Sequence, residues 1–537
     1  MRIAARWRLF VRNLRPGMTV RLVVLASLAG VLGGAAALVF TWVIHWSTDH
    51  LLVGLTGFMP AAPSGEGGSP GGGTDVVPWL LILVPAAGGL LSGWLVWRFA
   101  PEAEGHGTDA MIRSYHRGGG DARGRVAIVK TIASGITVGT GGSAGREGPI
   151  AQIAGVMGSK LAAALRLTAK ERRILLVAGA AGGVGAIFRA PLGGALFASE
   201  VLYRDPEIES DSLLPSIFCS IVAYSVYVFG ATWLLPGDGA RLFGDLSNLR
   251  FTNLGDLPAY VVLGALCAVA GWLHVRIFYG ARERLFGRLP VPVWMRPGIG
   301  GLVLGLMATA VWSWSVAEGR DLGGINVLGG GYGLMQEALD GRLSVQGSQI
   351  AGWSLAGLLL GLALLKMFAT AASVSSGGSG GVFSPTLAIG ALLGGAVGAV
   401  CASWVEDPRA FVLVGMGGFF AGIAKIPLTS VIMVSEMTQD YGLILPMMLV
   451  SGIAFVTSQR WTLYTEQVSG KVDSPAHRGD FLIDVLEEVT VAEVMEEKDS
   501  RTFVAPGTPL RQILKLVSET TAKVFVVVDD DQRLIGV

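Results

Sequence analysis

Apolar positions in this chain fall in long blocks, not in the alternations of a half-buried soluble element. Crossing a bilayer as a helix takes about 20 predominantly apolar residues. Runs of that kind recur at 22–46, 78–99, 213–234, 257–280, 297–315, 350–374 and 442–458. Shorter runs, interrupted by glycine, lie at 125–140, 149–166, 173–187, 191–203, 329–337, 383–403, 410–424 and 427–437. The pattern predicts an all-α polytopic membrane protein in which full spans alternate with broken ones. Short, broken segments in matching positions of two halves are the sequence mark of a binding site inside the membrane.

The first run is too long for the roughly 7–15-residue apolar core of a signal peptide, so it reads as a retained helix. Arg2, Arg6, Arg8, Arg12, Arg15 and Arg21 precede it. The positive-inside bias puts this segment, 1–21, in the cytoplasm and implies a cell (inner) membrane. Residues 56–76, rich in Gly, Pro and Ser, read as a flexible loop on the far side of that helix. Trp7, Trp42, Trp46 and Trp79 lie near helix ends and read as interfacial anchors.

Two stretches repeat. Val126–Glu200 aligns with Leu362–Glu436 without a gap, at an offset of 236. Lys130 falls on Lys366, Gly141-Gly142-Ser143-x-Gly145 on Gly377-Gly378-Ser379-x-Gly381, and Pro149 on Pro385. Gly179 falls on Gly415, Pro191-Leu192 on Pro427-Leu428, and Ser199-Glu200 on Ser435-Glu436. Glycine, proline and charge stay in phase throughout, which implies duplication.

Composition changes after Gln467. Residues 22–468 form the transmembrane domain, 469–483 a linker, and 484–537 a charged, soluble-looking segment. There, Thr490-x-x-Glu493 has the form of a capping box, and Thr508-Pro509 of an N-cap followed by proline at the first helical position. An amphipathic helix is expected over Leu510–Glu519, and a hairpin from Val524–Val528 and Leu534–Val537. The chain stops in mid-strand, so a continuation of this fold is expected.

The composition fits this reading. Of 537 residues, 51% are hydrophobic and only 15% charged, against about 25% charge in soluble domains. The 78 glycines suit close helix packing in a membrane. A net charge of +1 gives no nucleic-acid footprint. Cys219, Cys267 and Cys401 lie far apart in apolar stretches, as buried small hydrophobes do. No metal-type Cys/His spacing occurs.

The chemistry concentrates in Gly141-Gly142-Ser143-Ala144-Gly145-Arg146-Glu147-Gly148-Pro149, ahead of an apolar helix. Glycine-rich backbone entering a helix aims free N–H groups and the positive dipole end at one point, which is an anion site. Pro149 sits in the first turn, where a missing N–H costs nothing. The second half supplies Gly377-Gly378-Ser379-Gly380-Gly381-Val382-Phe383-Ser384-Pro385 in the same position. Two such helix starts can converge on one anion near the midplane. Packing glycine alone leaves Arg146 and Glu147 unexplained, because each ionisable residue costs about 2.5–3.5 kcal/mol at a helix centre.

Gly145-Arg146-Glu147-Gly148-Pro149 resembles the glutamate-gate motif of the CLC chloride channels and chloride/proton exchangers. Gly381-Val382-Phe383-Ser384-Pro385 resembles that family's second filter motif, Leu463-Tyr464 the segment carrying its central tyrosine, and 484–537 the first part of its CBS domain. The resemblance implies two inverted halves whose broken helices meet at a midplane anion site, with a partial α/β CBS-like cytoplasmic segment at the C-terminus. It implies a homodimer with one pore per subunit. Backbone N–H groups of Arg146, Glu147, Gly148, Val382 and Phe383 would surround chloride, and the Tyr464 hydroxyl would donate at the inner end. Glu147 would be the gate. No cofactor or metal is implied; a nucleotide would bind only to a completed pair of CBS modules.

Two positions depart from the family. Its first filter motif is often Gly-Ser-Gly-Ile-Pro, where this chain has Gly105-His106-Gly107-Thr108-Asp109. His106 either donates an N–H to the central anion or turns away. Exchangers usually carry a second glutamate where this chain has Val201, one residue after Glu200. Valine holds no proton, so the expectation is passive chloride conduction through a glutamate-gated pore, with chloride/proton exchange through the same Glu147 as the alternative. Glu200 could substitute if its helix were rotated. Lys130 and Lys366 either add positive potential to the pore or pair with buried acids or carbonyls. Glu436 reads as structural. An enzyme is not expected, since no nucleophile–base pair recurs.

Overall fold

The structure is a computed structural model that describes residues 18–478 and 503–536, apart from 69–70, 74, 236–241, 244–245, 247–248, 318–326, 341–343, 346–347, 350, 521–523 and 532. The arginine-rich start up to Arg15, Trp7, the Thr490–Glu493 box and Val537 lie outside the described residues. Two compact units divide the chain, Met1–Ala476 and His477–Val537.

The first unit is helical. In chain order its helices are α1 Met18–Ser47, α2 Pro78–Phe99, α3 Thr108–His116, α4 Gly124–Gly139, α5 Glu147–Ala164, α6 Ala169–Phe188, α7 Pro191–Glu200 and α8 Ser210–Leu234. There follow α9 Leu257–Gly280, α10 Arg296–Ala317, α11 Tyr332–Asp340, α12 Gly352–Thr370, α13 Phe383–Cys401, α14 Ala410–Ala424, α15 Pro427–Thr438 and α16 Ile444–Thr457. Their ends follow local chemistry. Thr168 and Glu171 make a complete capping box at the start of α6. Pro191 and Pro427 open α7 and α15 at the first helical turn. Left-handed Arg189 and Lys425 stop α6 and α14 at equivalent positions, with φ of 57° and 64°.

Among the described residues, seven helices are long and apolar enough to cross a membrane. Two expectations shift. The run 442–458 yields only the 14-residue α16, about 21 Å at 1.5 Å per residue, too short for a full span. Conversely, the glycine-broken run 383–403 is one continuous 19-residue helix, α13. Its glycines admit a neighbour: Gly390 and Gly394 press on the backbone of Gly415 and Phe411 in α14, leaving no room for a side chain.

A local two-fold axis relates the halves. Gly145 and Gly381, equivalent in the repeat, exchange two backbone hydrogen bonds of 2.7 Å each in an antiparallel bridge. Chain direction therefore reverses from one half to the other at this point. Other contacts are reciprocal in the same way. Ser134 meets Ser379 at 2.9 Å, and their counterparts Thr370 and Ser143 meet at 3.3 Å. A contact of i with j′ that is matched by j with i′ is what a two-fold axis produces.

The acids at the ends of α7 and α15 obey the same rule. Glu200 accepts from Leu428 N, Thr429 N and Thr429 Oγ1, at 3.2, 2.8 and 2.6 Å. Glu436 accepts from Leu192 N and Gly193 N, at 3.2 and 2.7 Å. Each carboxylate thus caps the helix of the opposite half, satisfying N–H groups that have no partner inside their own helix.

The loop after α1 is anchored. Met59 and Gly72 exchange two backbone bonds of 2.8 Å, and Val77 N reaches Thr56 O at 2.9 Å. Among the described residues of the loop, these bonds hold its two ends together.

The second unit has strands Phe503–Val504, Val526–Val528 and Leu534–Gly536 in one sheet, and a helix Leu510–Glu519. The last two strands pair antiparallel, the hairpin expected. Thr508 does not cap the helix, however. Its Oγ1 accepts from Ala505 N at 3.1 Å, and extended Pro509 occupies the cap position.

Glu200→Ala should lower stability by about 2 kcal/mol, the order of hydrogen bonds to a charged group. Glu436→Ala should cost less, because its site is more exposed. Thermal unfolding of the detergent-solubilised variants measures both, and equal Tm values for Glu200→Ala and the parent would refute the capping role.

Candidate anion site

The Gly145–Gly381 crossing fixes where two helices begin. Arg146 and Val382 are the N-cap residues of α5 and α13, and Glu147 and Phe383 their first helical residues. Ile150 N bonds to Arg146 O and Thr386 N to Val382 O. The N–H groups ahead of these have no intrahelical acceptor, and Pro149 and Pro385 lack one. Two sets of free donors thus face one small region.

The Glu147 carboxylate lies in that region. Tyr332 Oη donates to Oε1, and Ser384 N lies 3.4 Å from Oε2. An acidic side chain therefore sits at the N-terminus of α13, where the dipole favours an anion. At the equivalent position Phe383 packs among Phe188, Phe197 and Phe420, with ring centroids 4.4, 5.5 and 4.0 Å away. That apolar cage pins the start of α13.

On one side of Glu147 is a cavity of about 380 Å³, lined by Leu52, Glu66, Gly145, Arg146, Tyr332 and Ser384 among others. Arg146 is buried, pairs with Glu66 of the loop after α1, and lies 5.2 Å over the Tyr332 ring. Arg189 Nη1 holds the same loop through Gly65 O at 3.2 Å.

On the other side stand His106 and Tyr464. Both are buried, with ring centroids 5.4 Å apart. His106 Nε2 lies 3.3 Å from Asp109 Oδ2, so the ring turns one nitrogen away and keeps the other. His106 Nδ1 and Tyr464 Oη have no hydrogen-bond partner, although the Thr108 side chain lies beside the tyrosine. Tyr464 is held by its backbone, with Leu463 N on Ile423 O at 2.8 Å and Tyr279 Oη on Leu463 O at 2.6 Å.

Val201 is fully buried, and its carbonyl accepts from Gln467 Nε2 at 3.0 Å. Neighbouring Glu200 is held by its cap on α15. The structure thus brings Arg146, Glu147, Gly148, Val382 and Phe383 together at the helix starts, and His106 with Tyr464 at one end, while Val201 sits in a packed joint.

Lys130 and Lys366 are both buried, and they end on carbonyls. Lys130 Nζ reaches Ala103 O and Gly105 O at 2.9 and 2.6 Å; Lys366 Nζ reaches Val327 O and Gly329 O at 2.9 and 2.6 Å. Each ties down the glycine loop that leads into the site from its own half.

Sequence reasoning missed Tyr332, Glu66 and Asp109. A signal for Tyr332 existed. Gly105 and Gly107 match Gly329 and Gly331, all four with positive φ, each pair opening a nine-residue helix. Tyr332 is therefore the counterpart of Thr108.

Membrane-length helices around two-fold-related helix starts define an inverted-repeat transport protein. The family model described as voltage gated chloride channel matches residues 88–459, and the chain belongs to this family, the CLC proteins. It is 32% identical over 448 residues to an H(+)/Cl(-) exchange transporter ClcA of Cronobacter sakazakii, covering 80% of this chain and 84% of the relative. It is 30% identical over 392 residues to a putative chloride channel protein ClcB-like of Ralstonia nicotianae, covering 71% and 82%. Among solved structures, a slow cyanobacterial Cl-/H+ antiporter aligns with a TM-score of 0.62 at 22% identity, over 89% of this chain and 99% of that one. A CLC-type fluoride/proton antiporter aligns with a TM-score of 0.64 at 20% identity, over 83% and 97%.

Tyr332→Phe removes one hydrogen bond to the Glu147 carboxylate and leaves the ring under Arg146. It should raise chloride flux near neutral pH severalfold, since a bond to a charged group contributes about 1.5–3 kcal/mol. Vesicle efflux measures this, and flux equal to the parent's would exclude a role for the hydroxyl.

Proposed function

We propose that this chain exchanges chloride for protons across the membrane through Glu147. The passive conduction expected from Val201 gives way to the alternative. The observation that carries the proposal is the carboxylate at the start of α13. An anion and ionised Glu147 compete for the same helix terminus, so one excludes the other. Protonation removes the charge that holds Glu147 there, the side chain leaves, and chloride takes the vacated donors. Protonation of Glu147 and occupation of the helix terminus by chloride are thereby linked, which is the coupling that exchange requires. The name of the Cronobacter relative, an exchange transporter, supports the same reading, whereas the Ralstonia relative is named a putative chloride channel protein.

Chloride would be met by backbone N–H groups of Arg146, Glu147, Gly148, Val382 and Phe383, and by Tyr464 and His106 at the far end. Val201 supplies no proton-carrying group, so the proposal rests on Glu147 and not on that position. The chain would act as a homodimer in the cell membrane with its termini in the cytoplasm. No metal or cofactor would take part, and a nucleotide would bind only where a second CBS-like module completes the tail.

Proteoliposomes with independently set chloride and pH gradients test the proposal. A chloride gradient should drive protons uphill, and Glu147→Gln should abolish proton movement while chloride still flows with a flattened pH dependence. A reversal potential that follows chloride alone and ignores the pH gradient would establish a passive channel instead. Potassium flux should be absent, because the donors at the site are N–H and O–H groups.

A further inference from the structure

The far end of the site carries two buried, unpaired polar atoms on neighbouring rings, His106 Nδ1 and Tyr464 Oη. Buried polar atoms without partners are rare and call for an explanation. The other imidazole nitrogen, Nε2, is taken by Asp109 Oδ2 at 3.3 Å. Asp109 is itself fixed from several directions. Its Oδ2 accepts from Thr465 N and Thr465 Oγ1 at 3.3 and 2.9 Å, and its Oδ1 from Glu466 N at 3.3 Å. Those donors directly follow Tyr464 in sequence. One carboxylate therefore holds the imidazole and the tyrosine-bearing segment in a single frame. Gly105 and Gly107, with φ of 71° and 86°, turn the loop sharply on either side of His106. A side chain at Gly107 would meet Gly148 O at 2.7 Å, so the loop lies tight against the start of α5.

The hydrogen-bond inventory of these groups sets the charge. An ionised carboxylate only accepts, so Nε2 carries the hydrogen. In a neutral imidazole the remaining nitrogen, Nδ1, is then a lone pair, which repels an anion. In the imidazolium both nitrogens donate. The same buried atom thus rejects chloride when the ring is neutral and binds it when the ring is charged. The charged and titratable groups around His106 are Asp109 and Glu466 beside it, Tyr464 on its ring, and Glu147 on α5. Arg113 pairs with Glu466 at 2.9 Å, Tyr279 of α9 bonds to Leu463 O, and Lys130 of α4 is on Gly105 O. Lys130 opposes a second positive charge and Asp109 favours it, with Asp109 the one in contact.

We propose that His106 is a proton-dependent anion receptor: chloride binds at this end together with a proton taken from water onto His106 Nδ1, and Asp109 is the positioning residue that fixes the tautomer. The proton adds to the ring nitrogen, whose N–H donates to chloride, and loss of that proton to water frees the anion again. The chain thereby gains a protonatable group at the end of the site where Val201 supplies none. This rests on the anion pathway proposed above but not on exchange itself.

The test uses full-length, detergent-solubilised Glu147→Gln protein, so that Glu147 contributes no proton. Chloride is titrated calorimetrically from pH 5.5 to 8.5 in buffers of different ionisation enthalpy. A measurable fraction of one proton should be taken up per chloride, and affinity should fall as pH rises, towards about tenfold per pH unit where linkage is complete. His106→Ser and His106→Gln, the latter keeping a donor, should both abolish proton uptake and flatten the affinity profile. Asp109→Asn should keep proton uptake but weaken chloride binding, because the imidazolium loses its counter-charge. No proton uptake in Glu147→Gln protein, or equal uptake with and without His106, would overturn the proposal. Vesicle exchange that persists without His106-linked uptake defeats this inference alone; linked uptake in a protein that shows no exchange defeats only the antiport reading.

Discussion

The two hydrogen bonds between Gly145 and Gly381 are the constraint on which the site depends. They are the crossing point of two chain segments running in opposite directions, and each segment turns directly into a helix. Because the crossing is made by backbone, it fixes the starts of α5 and α13 whatever the side chains do. The free N–H groups of both helices then face one spot, and an anion or a carboxylate is what that spot accommodates. A side chain at either glycine would press on the other strand or on the start of α5. Around the crossing, the reciprocal Ser–Ser and Ser–Thr contacts and the exchanged Glu200 and Glu436 caps make the two halves one body.

Much of this frame is legible in the sequence because a repeat with constant offset records it. Glycine, proline and the paired acids stay in phase over 126–200 and 362–436, and those residues make the crossing and the caps. The upstream glycine loops escape that offset. Gly105 and Gly329 are separated by 12 fewer residues than the pairs of the repeat, so the gap-free alignment stops short of Tyr332. Glu66 is illegible for another reason. Gly/Pro/Ser composition describes how readily a loop turns, and it carries no information on which buried cation Glu66 will find. Helix lengths misled where composition was taken for length. Glycine in α13 is contact surface for α14, and apolar residues around α16 extend beyond the helix itself.

Val201 follows directly on the end of α7. In the fold its neighbourhood is a joint, where Gln467 Nε2 gathers the carbonyls of Val201, Tyr203 and Ala424 at 3.0, 3.3 and 2.9 Å. This amide ties the end of α7 and the end of α14 to the segment that carries Tyr464. Asp109 ties the same segment to the His106 loop. Ring position at this end is therefore set by two polar anchors a few residues apart, one neutral and one charged.

The two-fold axis also bears on direction. A frame with that symmetry would look alike to an ion arriving from either face, and would favour neither. The symmetry fails at the helix starts, where the first half has Arg146 and the carboxylate of Glu147 and the second has Val382 and the caged ring of Phe383. One helix thus begins with a charged side chain and the other with a neutral, packed ring. Rectification, the ease of current one way over the other, can arise in such a frame only where equivalent residues differ.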